Sequence, residues 1–91
     1  MHTWLIVLEE NEKVIFADKF VGVGTYISGL LRIARFANEH LENPLIRVLN
    51  PGMKGVLGDY EWEKQDSLKI ITNQDIIALA KSAEHAGINY E

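Results

Sequence analysis

An uninterrupted apolar run near the start of this 91-residue chain, Trp4 to Leu8, most constrains its fold. The run has the length of one strand and contains the β-branched residues Ile6 and Val7, so it predicts a strand that is buried on both faces. Such a strand lies in the interior of a sheet that helices cover. The chain must therefore also supply amphipathic helices and neighbouring strands.

The segment from about Val23 to Leu41 predicts a long helix, because its apolar residues recur at spacings of three and four. Asn43-Pro44 predicts where it ends, since the residue before a proline is pushed out of the helical region. The apolar positions are Ile27, Leu30, Leu31, Ala34, Ala37 and Leu41.

A second helix is predicted towards the end of the chain. Thr72 or Asn73 offers an N-cap, and Asp75 places a carboxylate in the first turn. Gly87 suits the position after the last turn, where a Schellman-type end is closed by Ile88.

Further strands are predicted at 45–49 and 68–72, and 14–17 is a possible additional strand. We expect the acidic link 9–13 to be too long for the tightest hairpin turns. The element order predicts an α/β domain, with α+β as the alternative. A single domain over 1–91 would contain a mixed four- to five-stranded sheet and two main helices.

Charge and composition exclude several functional classes. Nine basic and 13 acidic residues give a net charge of −4, and their interspersed pattern argues against tight binding of DNA. Without cysteine there are no disulfides and no thiolate metal sites. No segment has the apolar length of a membrane span, and we expect a cytoplasmic protein without a signal peptide.

The start of the long helix is the best candidate for a binding site. Gly22 and Gly24 allow close backbone approach, Thr25 or Gly24 could cap the helix, and Lys19 could add a positive charge. Together with Tyr26 these residues suit an anionic ligand or a partner. The pattern lacks the Gly-Lys-Ser/Thr of a phosphate-binding loop and the third glycine of a dinucleotide fingerprint. A glycine-rich helix entry packed on the first strand is the alternative.

Tyr60 and Trp62 form a second candidate, because alternation along a strand would put both rings on one face. Exposed rings would anchor a protein partner, whereas buried rings would enlarge the core. Asp59, Glu61 and Glu63 would line the opposite face, where a solvated sheet edge explains them as well as a cation does. We predict no metal site and no cofactor.

Two parts of the chain resemble the type 2 peptidyl-tRNA hydrolase family. The first joins Leu5-Ile6-Val7-Leu8 to the helix start at Gly22–Leu31. The second joins Leu68-Lys69-Ile70-Ile71 to Ile76–Tyr90, a helix that ends in Ala-Gly and is followed by a hydrophobic strand entry. The resemblance implies a sheet of the same type, covered by helices.

The residues that carry the hydrolase chemistry are not matched. That family has a Gly-Lys pair ahead of the helix and a Gln and a His in its first turns. Phe20-Val21-Gly22 and Tyr26-Ile27-Ser28 stand at these places in this chain. The resemblance therefore implies the fold without the activity, since fold does not imply function.

These observations favour a small non-catalytic binding or regulatory protein that acts through protein contacts. A second copy of the chain is one possible partner, because a flat, apolar sheet edge invites self-pairing into a homodimer. One alternative is a protein or enzyme that binds an anionic small molecule, a nucleotide or a phosphate, at the helix start. Another is a divergent relative of the hydrolases.

Overall fold

The structure, a computed structural model, describes residues 3–49 and 67–89 and contains one four-stranded sheet with two helices. The elements in chain order are β1 (Thr3–Glu10), β2 (Lys13–Val21), α1 (Val23–His40), β3 (Pro44–Leu49), β4 (Ser67–Ile71) and α2 (Asn73–His85). This arrangement confirms the predicted small α/β domain with four strands and two main helices.

The strands lie in the order β2-β1-β3-β4, and each described neighbour pair is antiparallel. The sequence predicted a mixed sheet instead. The difference arises because α1 carries the chain from β2 across β1 to β3. β2 and β3, which run in the same direction, are therefore separated by β1 and do not pair.

The apolar run lies at the centre of this sheet, as predicted. Leu5, Ile6, Val7 and Leu8 are each at most 1% exposed. Successive side chains of a strand point to opposite faces. Ile6 and Leu8 accordingly pack with residues of both helices, whereas Leu5 and Val7 belong to a separate cluster with Leu49. Burial of each such side chain contributes about 1.5–3 kcal/mol.

The possible second strand is confirmed, but it is longer than predicted, and the expectation about the turn is wrong. β1 continues through Glu10 and β2 begins at Lys13, so Asn11-Glu12 alone form the turn. Their φ angles are 52° and 69°, and positive φ at both central residues is what a type I′ turn requires. A register shift between Leu8 and Glu9 marks an irregularity in the pairing further along the hairpin.

Both predicted helices are confirmed, and α2 has the predicted C-terminal end. The Ile88 amide donates to the Ala83 carbonyl at 2.9 Å, and the Gly87 amide donates to the Glu84 carbonyl at 3.1 Å. Gly87 has a φ of 70°, so these two bonds form a Schellman motif. Arg35 of α1 donates to the Ile88 carbonyl at 2.7 Å, which attaches this end of α2 to α1.

The sheet face away from the helices contains a buried ion pair. Arg47 of β3 lies opposite Val7 of β1 in the strand register, so it shares the face of Val7. Its Nε donates to Glu9 Oε2. The two residues are only 4% and 6% exposed, so this pair is a specific polar contact inside the sheet.

Candidate functional site

The start of α1 is built around Gly22. The N-cap of the helix is Gly22, with φ 90°, a conformation that glycine adopts without strain. The Gly22 carbonyl accepts the first helical bond from the Tyr26 amide at 3.0 Å. The prediction that Gly24 or Thr25 caps the helix is therefore wrong, because the chain turns at Gly22 and the helix begins directly after it.

Lys19 lies apart from this helix start. It pairs with Leu5 across β1 and β2, and directly opposite residues share one face of a sheet. That face is the one away from the helices, where Leu5 is buried. The Lys19 side chain is exposed there, and its amide donates to Asp18 Oδ1 at 2.8 Å. The structure thus brings Gly22, Gly24 and Thr25 together but leaves the Lys19 side chain on the other face.

Tyr26 packs against the core instead of standing free in solvent. Its ring stacks on Trp4, with centroids 4.6 Å apart and an interplanar angle of 18°. Burial raises the pKa of the Tyr26 phenol above its usual value of 10.0. The other predicted aromatic residues, Tyr60 and Trp62, lie outside the described residues, as does the acidic face at 59–63.

This pKa shift predicts a loss of stability at high pH that Tyr26→Phe removes. A phenol whose folded-state pKa is raised contributes stability below its unfolded pKa of about 10, and that contribution is lost as pH rises through the folded pKa. We expect the difference in unfolding free energy between wild type and variant to be constant from about pH 7 to 9 and to fall above about pH 10. Urea unfolding at each pH measures it, and a constant difference across the alkaline range would refute the prediction.

The outer edge of β2 presents a second surface. Val14, Ile15 and Phe16 are consecutive and are 51%, 47% and 39% exposed. In the part of the chain that the structure describes, β2 pairs with β1 alone. A strand at a sheet edge presents unpaired backbone N–H and C=O groups to the solvent. This surface, residues 13–16 with the free edge of β2, is called the β2 edge below.

A cavity of about 250 Å³ lies between β2 and α1. Apolar side chains make up most of its wall, and the charged residue there is Arg32 of α1. The lining residues are Leu8, Ile15, Phe16, Arg32, Ile33 and Phe36. Sequence reasoning missed this cavity because Arg32 is not among the apolar positions that define the core-facing side of the helix. The available signal was the spacing of four residues between Arg32 and Phe36, which places both on one side of a helix.

Over residues 3–49 and 67–89, no cluster of three His, Asp or Glu side chains could hold a metal ion. In the same ranges neither helix is long and apolar enough to cross a membrane.

No protein-family model, no curated protein and no solved structure matches this chain. The resemblance to the type 2 peptidyl-tRNA hydrolases therefore stays a prediction.

Proposed function

We propose that this protein acts by binding and not by catalysis, and that it forms a homodimer through the β2 edge. The observation that carries the proposal is the coincidence of a sheet edge with three exposed apolar side chains, Val14, Ile15 and Phe16. An edge of that kind favours the addition of another strand, because the incoming strand satisfies the backbone groups and covers the apolar surface. The proposed location is the cytoplasm.

Two copies related by a two-fold axis would pair their β2 strands in antiparallel orientation. The eight strands of the described ranges would then form one continuous sheet, in which each copy contributes the order β4-β3-β1-β2. An interface of this type is closed, since the same surface of each copy is consumed. Lys13, Asp18 and Lys19 place charges along β2, and charges on an edge strand limit uncontrolled aggregation.

The dimer is tested by light-scattering mass on wild type and two matched variants. Ile15→Lys places a charge on the β2 edge, and Ile70→Lys places the same charge on β4, at the other end of the sheet. These isoleucines are 47% and 49% exposed, so both substitutions should leave the fold intact. We expect wild type and Ile70→Lys to have twice the chain mass of 10.3 kDa, and Ile15→Lys to have the chain mass itself.

Two results would contradict the proposal. A wild-type mass of 10.3 kDa at a concentration of about 1 mM would mean that self-association is weaker than a Kd of about 1 mM. An equal loss of dimer in Ile15→Lys and Ile70→Lys would mean that copies do not associate through β2 specifically.

The two alternative functions, binding of an anionic small molecule and a divergent hydrolase, have less support. An anion site that combines Lys19 with Gly22 and Gly24 would need these groups on one face, and Lys19 lies on the other face of the sheet. A divergent hydrolase would need a polar constellation at the start of α1. Tyr26, in the first turn of α1, is stacked on Trp4.

A further inference from the structure

We infer that the cavity between β2 and α1 is a binding site for a small amphipathic carboxylate, with its apolar body inside and its anionic group on Arg32. The floor of the cavity is core: Leu8 is 1% exposed and Ile33 is 5% exposed. Ile15 and Phe16 of β2 form one wall, and Phe36 of α1 contributes to the other. Such a surface gains free energy when an apolar group replaces water.

The volume of the cavity limits the size of the ligand. An apolar cavity of about 150 Å³ accepts benzene, so the 250 Å³ measured here corresponds to about ten non-hydrogen atoms at the same density. This is the size of one phenylalkyl group or one medium-length alkyl chain. A lipid with two acyl chains would not fit.

The charge at the cavity selects the polar group of the ligand. Within the described ranges, the Arg32 guanidinium has no hydrogen bond or ion pair to another side chain. Its neighbours at helical spacings of three and four are Ser28, Gly29, Arg35 and Phe36, and none of these is acidic. A free guanidinium offers two parallel N–H donors, a geometry that matches a carboxylate.

Two carboxylates on the elements that line the cavity, those of Glu39 on α1 and Glu10 on β1, are engaged elsewhere. Glu39 of α1 pairs with Arg35, with Nε and Oε1 3.5 Å apart. Glu10 of β1 accepts the amides of Glu42 and Asn43 at 2.8 Å and 3.0 Å. Arg32 is thus left with its positive charge beside an apolar cavity, in a chain whose net charge is −4.

The inference goes beyond self-association, although Ile15 and Phe16 contribute both to the β2 edge and to the wall of the cavity. All six lining residues belong to one copy of the chain, so a monomer would contain the complete site. The variants below lie on the helices and leave the β2 edge unchanged.

Phenylbutyrate and phenylbutanol are matched probes, because they share the apolar body and differ in the charged group. Binding is followed by amide chemical-shift changes in NMR titrations of the whole chain. We expect phenylbutyrate to give saturable shifts at residues that line the cavity. Because Arg32 is exposed, we expect the acid to bind about two- to fivefold more tightly than phenylbutanol, the effect of an ion pair that water screens.

Arg32→Gln removes the charge and should abolish this preference, so that acid and alcohol bind with equal affinity. Lys81→Gln on the exposed surface of α2 removes a charge away from the cavity and should keep the preference. Equal affinity of wild type for acid and alcohol would overturn the inference. So would the absence of localised, saturable shifts, or an unchanged preference in Arg32→Gln.

Discussion

Replacing Arg47 with leucine should destabilise the fold by about 3–5 kcal/mol, the range found when one partner of a buried ion pair is removed. The Glu9 carboxylate would lose its cation while it stays in a site where the residue is 6% exposed. A domain of this size has a total stability of roughly 5–15 kcal/mol. The variant should therefore be partly unfolded at moderate urea concentrations, which denaturant titration measures.

The double variant Glu9→Leu/Arg47→Leu distinguishes two causes of instability: a buried Glu9 carboxylate without a cation, and the loss of packing. Two well-packed apolar residues in place of a buried pair are often neutral or stabilising. We therefore expect the double variant to recover most of the stability that Arg47→Leu loses. If the double variant is as unstable as Arg47→Leu, the unpaired Glu9 carboxylate is not the cause of the lost stability.

Gly29→Ala should destabilise the fold by about 1–3 kcal/mol, the usual cost of overpacking a core. An ideal Cβ at Gly29 would lie 2.3 Å from Cε2 of Phe20 and 2.6 Å from its Cδ2. Phe20 is 5% exposed, so its ring has little room to move away. Close approach between β2 and the middle of α1 thus requires glycine, and thermal or urea unfolding measures the cost.

Gly24→Ala is the matched control on the same helix. Among the described residues, no atom lies within 4 Å of an ideal Cβ at Gly24. The alanine should be neutral or stabilising by up to about 1 kcal/mol, through helix propensity. In a Phe20→Leu background, Gly29→Ala should cost less than in wild type, because the two sites are in contact. An equal cost in both backgrounds would show that Phe20 is not the obstacle.

Local patterns predicted most of the regular structure. The apolar periodicity predicted α1, and the Gly87-Ile88 pair predicted the end of α2, because both depend on residues close together in sequence. The length of β2 was missed since its alternation is irregular around Ile15 and its outer side is exposed. The Asn11-Glu12 turn was missed because positive φ is uncommon for a glutamate.

Contacts between distant segments could not be predicted from the sequence. Glu9 and Arg47 are 38 residues apart, and nothing local marks either one as buried. From the sequence alone, Gly29 is only a residue of low helix propensity. Its close approach to the Phe20 ring is visible only in the folded structure. The cavity has the same origin, because Arg32 and Phe36 line it only once β2 lies alongside α1.

Self-association through β2 is tested most directly by amide hydrogen exchange measured at low and high protein concentration. We expect amides of β2 that do not bond to β1 to exchange rapidly in dilute protein and to become protected at high concentration, while β4 amides do not change. An interface at the β2 edge would be contradicted if the exchange rates of the β2 amides did not change with protein concentration while the β4 amides became protected.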